Sequence, residues 1–576
     1  MTEQKLTGYP SIDKPWLKYY SEEAINAPLP ECTIYEYLWD SNKDHLDDIA
    51  LNYFDRKITY GELFENIEKA AKAFSTLGVK EGDIVVMATV TTPETIYAFY
   101  GLNRLGAISN MVDPRTSTEG IRSYISEVNA KFVLTIDAAL PKIENAVVGT
   151  KTNTILVVSP ADSLPQPKKS LFLLSNKLKG KTPKLSDKCI SWAEFIEKGL
   201  ETKPAYSEYK KGTCCVIVHT GGTTGTPKGV MLSNDSLNIM VVLQKYSNTR
   251  MKRKQSFLDF MPPFIAYGLA CGIHNPLNFG MTLDIVPKFD PSKFDKLIIS
   301  KKPNHAIGVP SYWQQLANGR VKNLSFIQNA IAGGDRIDPT QEKLINNFFN
   351  GKGCKYKLSK GYGLTELAST ATYTVCDNCN LPDSVGIPLF LNNMKIVDSN
   401  LDKEVTYNQE GEICISSPTM MLGYYNNESA TNDVIKKDIN GNKWFYTGDS
   451  GYINEDGLLF VVGRIKRMIV RYDGFKIFPS QIEDVLLKNK NVDYCCAVGI
   501  ADKNHSQGQL PIVFVVKNGN ESNDEVKSEL FELCKKELPE YAQPIDFVSI
   551  DALPLTPIGK IDYRALEKQA EELSNA

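Results

Sequence analysis

A chain of 576 residues is too long for a single hydrophobic core and implies two or more domains. With 42% hydrophobic and 23% charged residues it has the composition of a soluble globular protein, and a formal charge of −3 lacks the basic bias of a nucleic-acid binder. Met1-Thr2-Glu3-Gln4-Lys5 runs into polar and aromatic residues without the apolar core of a signal peptide, so the cytoplasm is the expected compartment.

In chain order, Thr59 and Glu62 form a capping box, after which Leu63, Ile67, Ala70, Ala71 and Phe74 recur at helical spacing up to Gly78. Asp83–Met87 reads as a buried strand, and Pro93 opens a second helix that Gly106 terminates. Lys131–Ile136 and Thr154–Val158 repeat the strand pattern. Strands alternating with helices predict a parallel α/β sheet.

Residues 160–188 break that rhythm with several prolines, and 168–188 set seven lysines against one acid, Asp187. Leu171-Phe172-Leu173-Leu174 lies inside this basic tract, which reads as a solvated insertion between core strands, with a membrane-surface contact as the alternative. Gly180-Lys181-Thr182 is not a P-loop, because Ser175 stands where the first glycine belongs.

Cys214–Val218 is an apolar strand pattern leading into Thr220-Gly221-Gly222-Thr223-Thr224-Gly225-Thr226-Pro227-Lys228-Gly229. Glycines let the backbone wrap closely around phosphate oxygens, which amide N–H groups, threonine hydroxyls and the Lys228 ammonium would hold. This too differs from a P-loop, since Gly229 follows Lys228. Between Asp259 and Asp284 the chain is uncharged, but Pro262, Pro263, His274, Asn275, Pro276 and Asn278 exclude a spanning helix. Met261–Gly268 fits either an apolar pocket wall or plain core.

Three further segments set glycines beside polar groups: Ala332-Gly333-Gly334-Asp335, Gly361-Tyr362-Gly363-Leu364-Thr365-Glu366 and Tyr446-Thr447-Gly448-Asp449. One such segment is an ordinary turn; four with the phosphate loop suggest a ligand. Twelve cysteines, several in apolar runs, read as reduced core residues. Cys376-Asp377-Asn378-Cys379 is a lone CxxC with no second pair to complete a zinc site. After Gly463 the pattern becomes a small α+β unit: Ser480 and Glu483 suggest a capping box, Tyr494–Ile500, Ile512–Val516 and Asp546–Ile550 strands, and Asp524–Glu537 a helix. Near its end stands Pro557-Ile558-Gly559-Lys560.

Together these motifs, from about Tyr35 to about Leu566, resemble the adenylate-forming superfamily of acyl-CoA synthetases, 4-coumarate–CoA ligases, luciferases and nonribosomal peptide adenylation domains. The resemblance implies an α/β fold: a large N-terminal domain (1–463) of parallel-rich sheets with helices, and a small mobile α+β C-terminal domain (464–576) hinged near Lys466. It implies that a carboxylate attacks the α-phosphate of ATP to give acyl-AMP and pyrophosphate, and that a thiol then displaces AMP. Thr220, Gly221, Gly222, Thr223, Thr224, Gly225 and Lys228 would hold the β- and γ-phosphates. Glu366 would bind Mg²⁺, with Thr365 on the α-phosphate; Asp449 and Arg464 would take the ribose; Gly333, Gly334, Gly361, Tyr362 and Gly363 would border the adenine. Lys560 would align carboxylate and α-phosphate. By the same resemblance Lys466 and Gly474 would belong to the nucleotide and coenzyme A side of the site, and Tyr267, Gly268, Val309, Gly334 and Gly363 to an uncharged acyl pocket.

The chain departs from the family pattern at Ile265, where many relatives have histidine. It also has one extra residue between Arg464 and Gly474, which leaves open whether Tyr472, Asp473 or Gly474 meets the pantetheine arm. The implied activity is that of an AMP-forming carboxylate–CoA ligase acting on a small-molecule carboxylic acid with ATP and coenzyme A. Only sixteen residues follow Lys560, so no carrier domain is expected within this sequence. The alternatives are an enzyme loading a separate acyl carrier protein, an enzyme that stops at acyl-AMP, and a catalytically degenerate nucleotide-binding protein. The presence of Lys228, Glu366, Asp449, Arg464 and Lys560 together favours an active enzyme.

Overall fold

Valine- and isoleucine-rich runs with both faces buried are what parallel strands covered by helices require. Ile84–Ala88 lies between Ile108–Val112 and Phe132–Ile136, all parallel, and Thr154–Val158 and Cys189–Ser191 extend the sheet beyond them. On the other side Cys214–His219 runs parallel to Ile108–Val112, and Gly229–Ser233 then turns back antiparallel. That reversal sets His219 opposite Gly229, so the Thr220–Lys228 loop leaves and re-enters at one end of the sheet. The computed structural model describes residues 6–180, 184–220, 227–247, 250–398, 402–473, 475–505, 508–519, 522–556 and 560–575. Gly221, Gly222, Thr223, Thr224, Gly225 and Gly474 therefore lie outside the described residues.

A second sheet carries the parallel neighbours Ser359–Tyr362, Asn329–Ala332, His305–Gly308, Ser256–Asp259, Thr282–Ile285 and Ile49–Tyr53, in that order. Because these strands are parallel, their carboxyl ends share one edge, where parallel α/β sheets bind ligands. Met261–Gly268, Val309, Gly333-Gly334 and Gly363–Glu366 all follow such ends. A third, antiparallel sheet contains Gly411–Ser416, Lys443–Ile453 and Leu459–Arg464.

The capping box at Thr59 forms: the Glu62 amide donates to Thr59 Oγ1 at 3.1 Å, and the Thr59 amide donates to the Glu62 carboxylate at 2.9 Å. Its helix, Tyr60–Thr76, buries Leu63, Ile67, Ala70, Ala71 and Phe74 as the spacing predicts. Pro93–Arg104 is the second predicted helix, with Gly106 at positive φ just beyond it.

In the smaller C-terminal part Gln509–Lys517 is the central strand, antiparallel to Val492–Ala501 and parallel to Asp546–Ser549, packed by the helices Pro479–Leu486, Asn523–Glu537 and Tyr563–Asn575. Its two apolar clusters, centred on residues such as Ile482, Val513 and Leu530 and on Phe514 and Leu566, include no residue before Ile469. The capping box expected at Ser480 and Glu483 does not form. Pro479 starts the helix two residues earlier than such a box would, Ser480 Oγ donates to the Val462 carbonyl at 2.5 Å, and Glu483 accepts from the Ala497 amide at 2.9 Å. Proline at the first helical position needs no partner for a missing N–H, which frees both side chains for tertiary contacts.

Ten cysteines are free, most of them buried, but Cys376 and Cys379 are joined in a disulfide. The expectation that all twelve are reduced fails for this pair, because the short turn at Asp377–Cys379 brings their Cα atoms to 5.3 Å, within bonding range. Among the described residues no helix is long and apolar enough to cross a membrane. The uncharged stretch instead forms a π-helix, Tyr267–His274, continued by Asn275–Asn278.

Candidate active site

The cleft at the strand ends is lined from all three sheets and from the C-terminal part. Asp449 stands opposite Arg464 in the antiparallel register, and the Arg464 Nε lies 2.8 Å from Asp449 Oδ1. The Tyr362 hydroxyl donates to the other oxygen, Oδ2, at 2.6 Å. Only 3% of Asp449 is exposed, and burial raises its carboxyl pKa while the Arg464 charge pulls it back down. Arg464 itself remains half exposed. A buried carboxylate fixed in this way can accept from a pair of vicinal hydroxyls.

Glu366 sits on the short turn Thr365–Leu367 that follows Gly361–Leu364. The Tyr424 hydroxyl donates to its Oε1 at 2.8 Å, and the Lys228 ammonium lies 4.7 Å from the centre of the same tyrosine ring. The neck of the phosphate loop is closed by two bonds: the Thr220 amide donates to the Lys228 carbonyl at 3.0 Å, and the Lys228 amide donates to Thr220 Oγ1 at 3.2 Å. Thr220, Lys228, Thr365 and Glu366 thus face one cleft.

Lys560 enters from the C-terminal part, its amide donating to Thr556 Oγ1 at 3.1 Å. Its Cε and Nζ lie 3.7 and 3.9 Å from where a Cβ of Gly334 would stand, with Val309 Cγ1 at 3.8 Å from the same point. Gly334 also has φ +83°, a backbone conformation that favours glycine, while the surrounding atoms stand at ordinary van der Waals distance from a Cβ there. Burial lowers the Lys560 pKa, while the Asp335 and Asp449 carboxylates oppose that shift.

Tyr267, Val309, Gly334 and Gly363 line the cleft, as does Lys466. Gly333 leaves room for Tyr267, whose hydroxyl would stand 3.2 Å from a Cβ at that position. Gly268 is not brought to the cleft wall. A Cβ there would collide with the Pro262 carbonyl, so this glycine serves a close backbone approach at the start of the π-helix. Farther in, the wall includes Gln244, Met251, Cys271, Asn275 and Phe279. Asn275 is buried and its Oδ1 has no hydrogen-bond partner among the described residues.

Sequence reasoning missed several groups. Tyr424 carried no signal, because an isolated tyrosine 58 residues from Glu366 gives no hint of contact. Arg336, next to Gly333-Gly334-Asp335, forms a two-pronged ion pair with Asp484 of the C-terminal part, at 2.5 and 2.7 Å. Arg467 stacks its guanidinium 3.4 Å from the centre of the Tyr563 ring and lies 3.4 Å from Glu483.

A carboxylate–arginine pair on the antiparallel sheet, a lysine-bearing loop and a second lysine delivered from a separate C-terminal core meet at the carboxyl edge of the parallel strands, as in an α/β enzyme of the adenylate-forming fold. Residues 38–425 match the AMP-binding enzyme family and residues 481–560 match the AMP-binding enzyme C-terminal domain. The chain belongs to this family. It is 26% identical over 577 residues to the long-chain-fatty-acid–CoA ligase of Bacillus subtilis (strain 168), covering 97% of this chain and 98% of that protein. It is 30% identical over 534 residues to the probable 4-coumarate–CoA ligase 2 of Dictyostelium discoideum, covering 91% of each. The solved structure of ATP-bound MatB from Rhodopseudomonas palustris shares the fold with a TM-score of 0.81 at 19% identity, covering 94% of this chain and 100% of the other.

Proposed function

We infer that the chain is an AMP-forming acid–thiol ligase that activates a carboxylic acid with ATP and transfers the acyl group to coenzyme A. The observation that carries this reading is Lys560, held at the carboxyl ends of the parallel strands beside Gly334 and Val309, between the acyl-side wall and the Asp449 carboxylate. In the first half-reaction a carboxylate oxygen attacks the α-phosphorus, the bond between α-phosphorus and bridging oxygen breaks, and pyrophosphate leaves. Two anions must approach each other, and a cation between them offsets their repulsion and stabilises charge developing on the α-phosphoryl oxygens. Asp449 and Arg464 orient the ribose hydroxyls, Tyr362 and the Gly333–Gly334 backbone border the base, and Thr365 meets the α-phosphate. Lys228 and the Thr220 loop hold the two phosphates that depart.

Glu366 suits Mg²⁺, a hard cation that takes one or two carboxylates and completes its shell with substrate phosphates and water. Tyr424 occupies Oε1 and leaves Oε2 for the ion. Among the described residues no cluster of three or more acidic, histidine or cysteine groups forms a self-sufficient metal site, which fits an ion that arrives with the nucleotide. When bound, Mg²⁺ neutralises charge on the phosphates.

In the second half-reaction the thiolate attacks the acyl carbonyl carbon and AMP departs with the bonding pair. In this reading Lys560 withdraws to admit the thiol, so the division at residues 463 and 464 and a swing near Lys466 belong to the same proposal. The deep wall suits an acid with a largely apolar tail. Gln244 and Asn275 add amide groups that a hydroxylated tail can satisfy. A separate acyl carrier protein remains the alternative thiol donor. The test is pyrophosphate release across a panel of fatty and aryl acids, with and without coenzyme A. Release that needs ATP and acid, with thioester appearing only on addition of coenzyme A, is expected. Acyl-AMP accumulating unchanged with coenzyme A present would point to the carrier protein, and no acid-dependent release would refute the reading.

A further inference from the structure

The helix Lys168–Leu178 stands in the excursion between the strands Thr154–Val158 and Cys189–Ser191, and none of its residues is buried. Its inward side carries Phe172, partly buried against the main core, with Lys169, Ser175 and Asn176 also half-buried. Across the helix from Phe172, Leu171, Leu174 and Leu178 follow at i, i+3 and i+7 and form one stripe, with exposures of 63%, 54% and 79%. Leu173 beside the stripe is 49% exposed. A single exposed leucine needs no explanation, but four within eight residues do not follow from folding, since Phe172 is the one apolar side chain of this helix packed against the core.

The stripe is bordered by cations. Helical geometry puts Lys177 on one side of it and Lys168 on the other, toward the Phe172 side, and Lys179 follows directly after the helix. Lys177 and Lys179 are exposed and have no ion-pair partner among the described residues, and Lys184 and Lys188 follow, also exposed. Lys168 is tied to Asp55 and the Phe54 carbonyl of the neighbouring hairpin turn, where Phe54 itself is 42% exposed.

We propose that this face docks on an anionic lipid bilayer, with the leucine stripe in the boundary between headgroups and acyl chains and the lysines at lipid phosphates. Lysine stems beside an apolar stripe reach outward to headgroup level, and each added cation near an anionic surface strengthens attachment. A second copy of this chain is disfavoured as the occupant, because a self-complementary contact would set these lysines against their own counterparts. The proposal is independent of the ligase reading, although a bilayer is also where a long-chain acid dissolves.

The full-length protein is sedimented with vesicles of phosphatidylcholine alone and of phosphatidylcholine mixed with phosphatidylglycerol. Binding to the mixed vesicles only, weakened by added salt, is expected. Leu171→Ser, Leu174→Ser and Leu178→Ser together abolish it, and Lys177→Gln and Lys179→Gln each weaken it about fivefold. ATP-dependent pyrophosphate release in the absence of lipid stays unchanged in all these variants, which separates loss of docking from loss of folding. Equal binding to neutral vesicles, binding that survives the leucine substitutions, or lipid-independent dimerisation that those substitutions abolish would each overturn the proposal.

Discussion

The Arg336–Asp484 ion pair spans the seam between the parallel sheets and the C-terminal part, and its removal separates the two half-reactions. The guanidinium meets the carboxylate through two contacts, at 2.5 and 2.7 Å, with each side chain about one-third exposed, and Asp383 lies 3.7 Å from the same arginine. A single exposed pair contributes about 0.2–1 kcal/mol; two-pronged geometry raises this, and partial exposure limits it. About 1–2 kcal/mol is therefore expected, a factor of roughly 5–30 in the balance between the arrangement with Lys560 seated and any other. Asp484→Ala slows acid-dependent pyrophosphate release by up to that factor and leaves thioester formation from supplied acyl-AMP unchanged or faster. High salt moves the wild type in the same direction. Exchange of the two charges, Arg336→Asp with Asp484→Arg, recovers part of the loss. Equal slowing of both half-reactions, or no recovery in the exchanged variant, would refute a role for this pair in holding the domains.

Lys560→Ala lowers acyl-AMP formation by about 10²–10³-fold, typical for loss of one group that stabilises transition-state charge, and spares thioester formation from supplied acyl-AMP. Because burial lowers the Lys560 pKa, its charge is present at lower pH and lost as pH rises through that lowered value. Wild-type pyrophosphate release thus falls on the alkaline side below the ordinary lysine range, and a profile flat to the ordinary lysine pKa contradicts this. Glu366→Ala raises the Mg²⁺ concentration needed for half-maximal release; an unchanged requirement would remove Glu366 from the metal site. Lys360 and Glu342, 3% and 6% exposed with Nζ and Oε2 at 2.7 Å, form a buried pair at the base of the Gly361–Glu366 segment. Lys360→Ala is expected to cost about 3–5 kcal/mol in denaturant unfolding, and the double substitution Lys360→Met with Glu342→Leu much less. Gln244→Leu with Asn275→Leu shifts preference from hydroxylated aryl acids toward plain alkyl acids, read as the ratio of kcat/KM values.

Much of the fold was legible because its signals are local. Capping at Thr59, the apolar strands at Ile84–Ala88 and Phe132–Ile136, and the glycines at Gly78 and Gly106 each depend on a few adjacent residues. The glycine-bearing segments were legible for a related reason: a polar loop directly after a buried strand marks a strand end, and parallel pairing collects such ends on one edge. What joins the segments was not legible. Tyr362 reaches Asp449 across 87 residues, and Arg336 reaches Asp484 across 148, through tertiary packing that no local pattern encodes. Gly268 misled because a glycine beside an aromatic residue looks the same whether it opens a pocket or admits a carbonyl. Ser480 and Glu483 misled because their spacing fits a capping box, while Pro479 already supplied the helix start.

The most direct test of the chemistry follows an oxygen atom. A carboxylic acid labelled with ¹⁸O in both carboxylate positions is turned over with ATP and coenzyme A, and the products are read by mass spectrometry. Attack of the carboxylate on the α-phosphate, followed by thiol displacement, transfers one labelled oxygen to AMP and none to pyrophosphate. Unlabelled AMP, or label in inorganic phosphate with ADP as the nucleotide product, would contradict an acyl-AMP intermediate and with it the role drawn for Lys560.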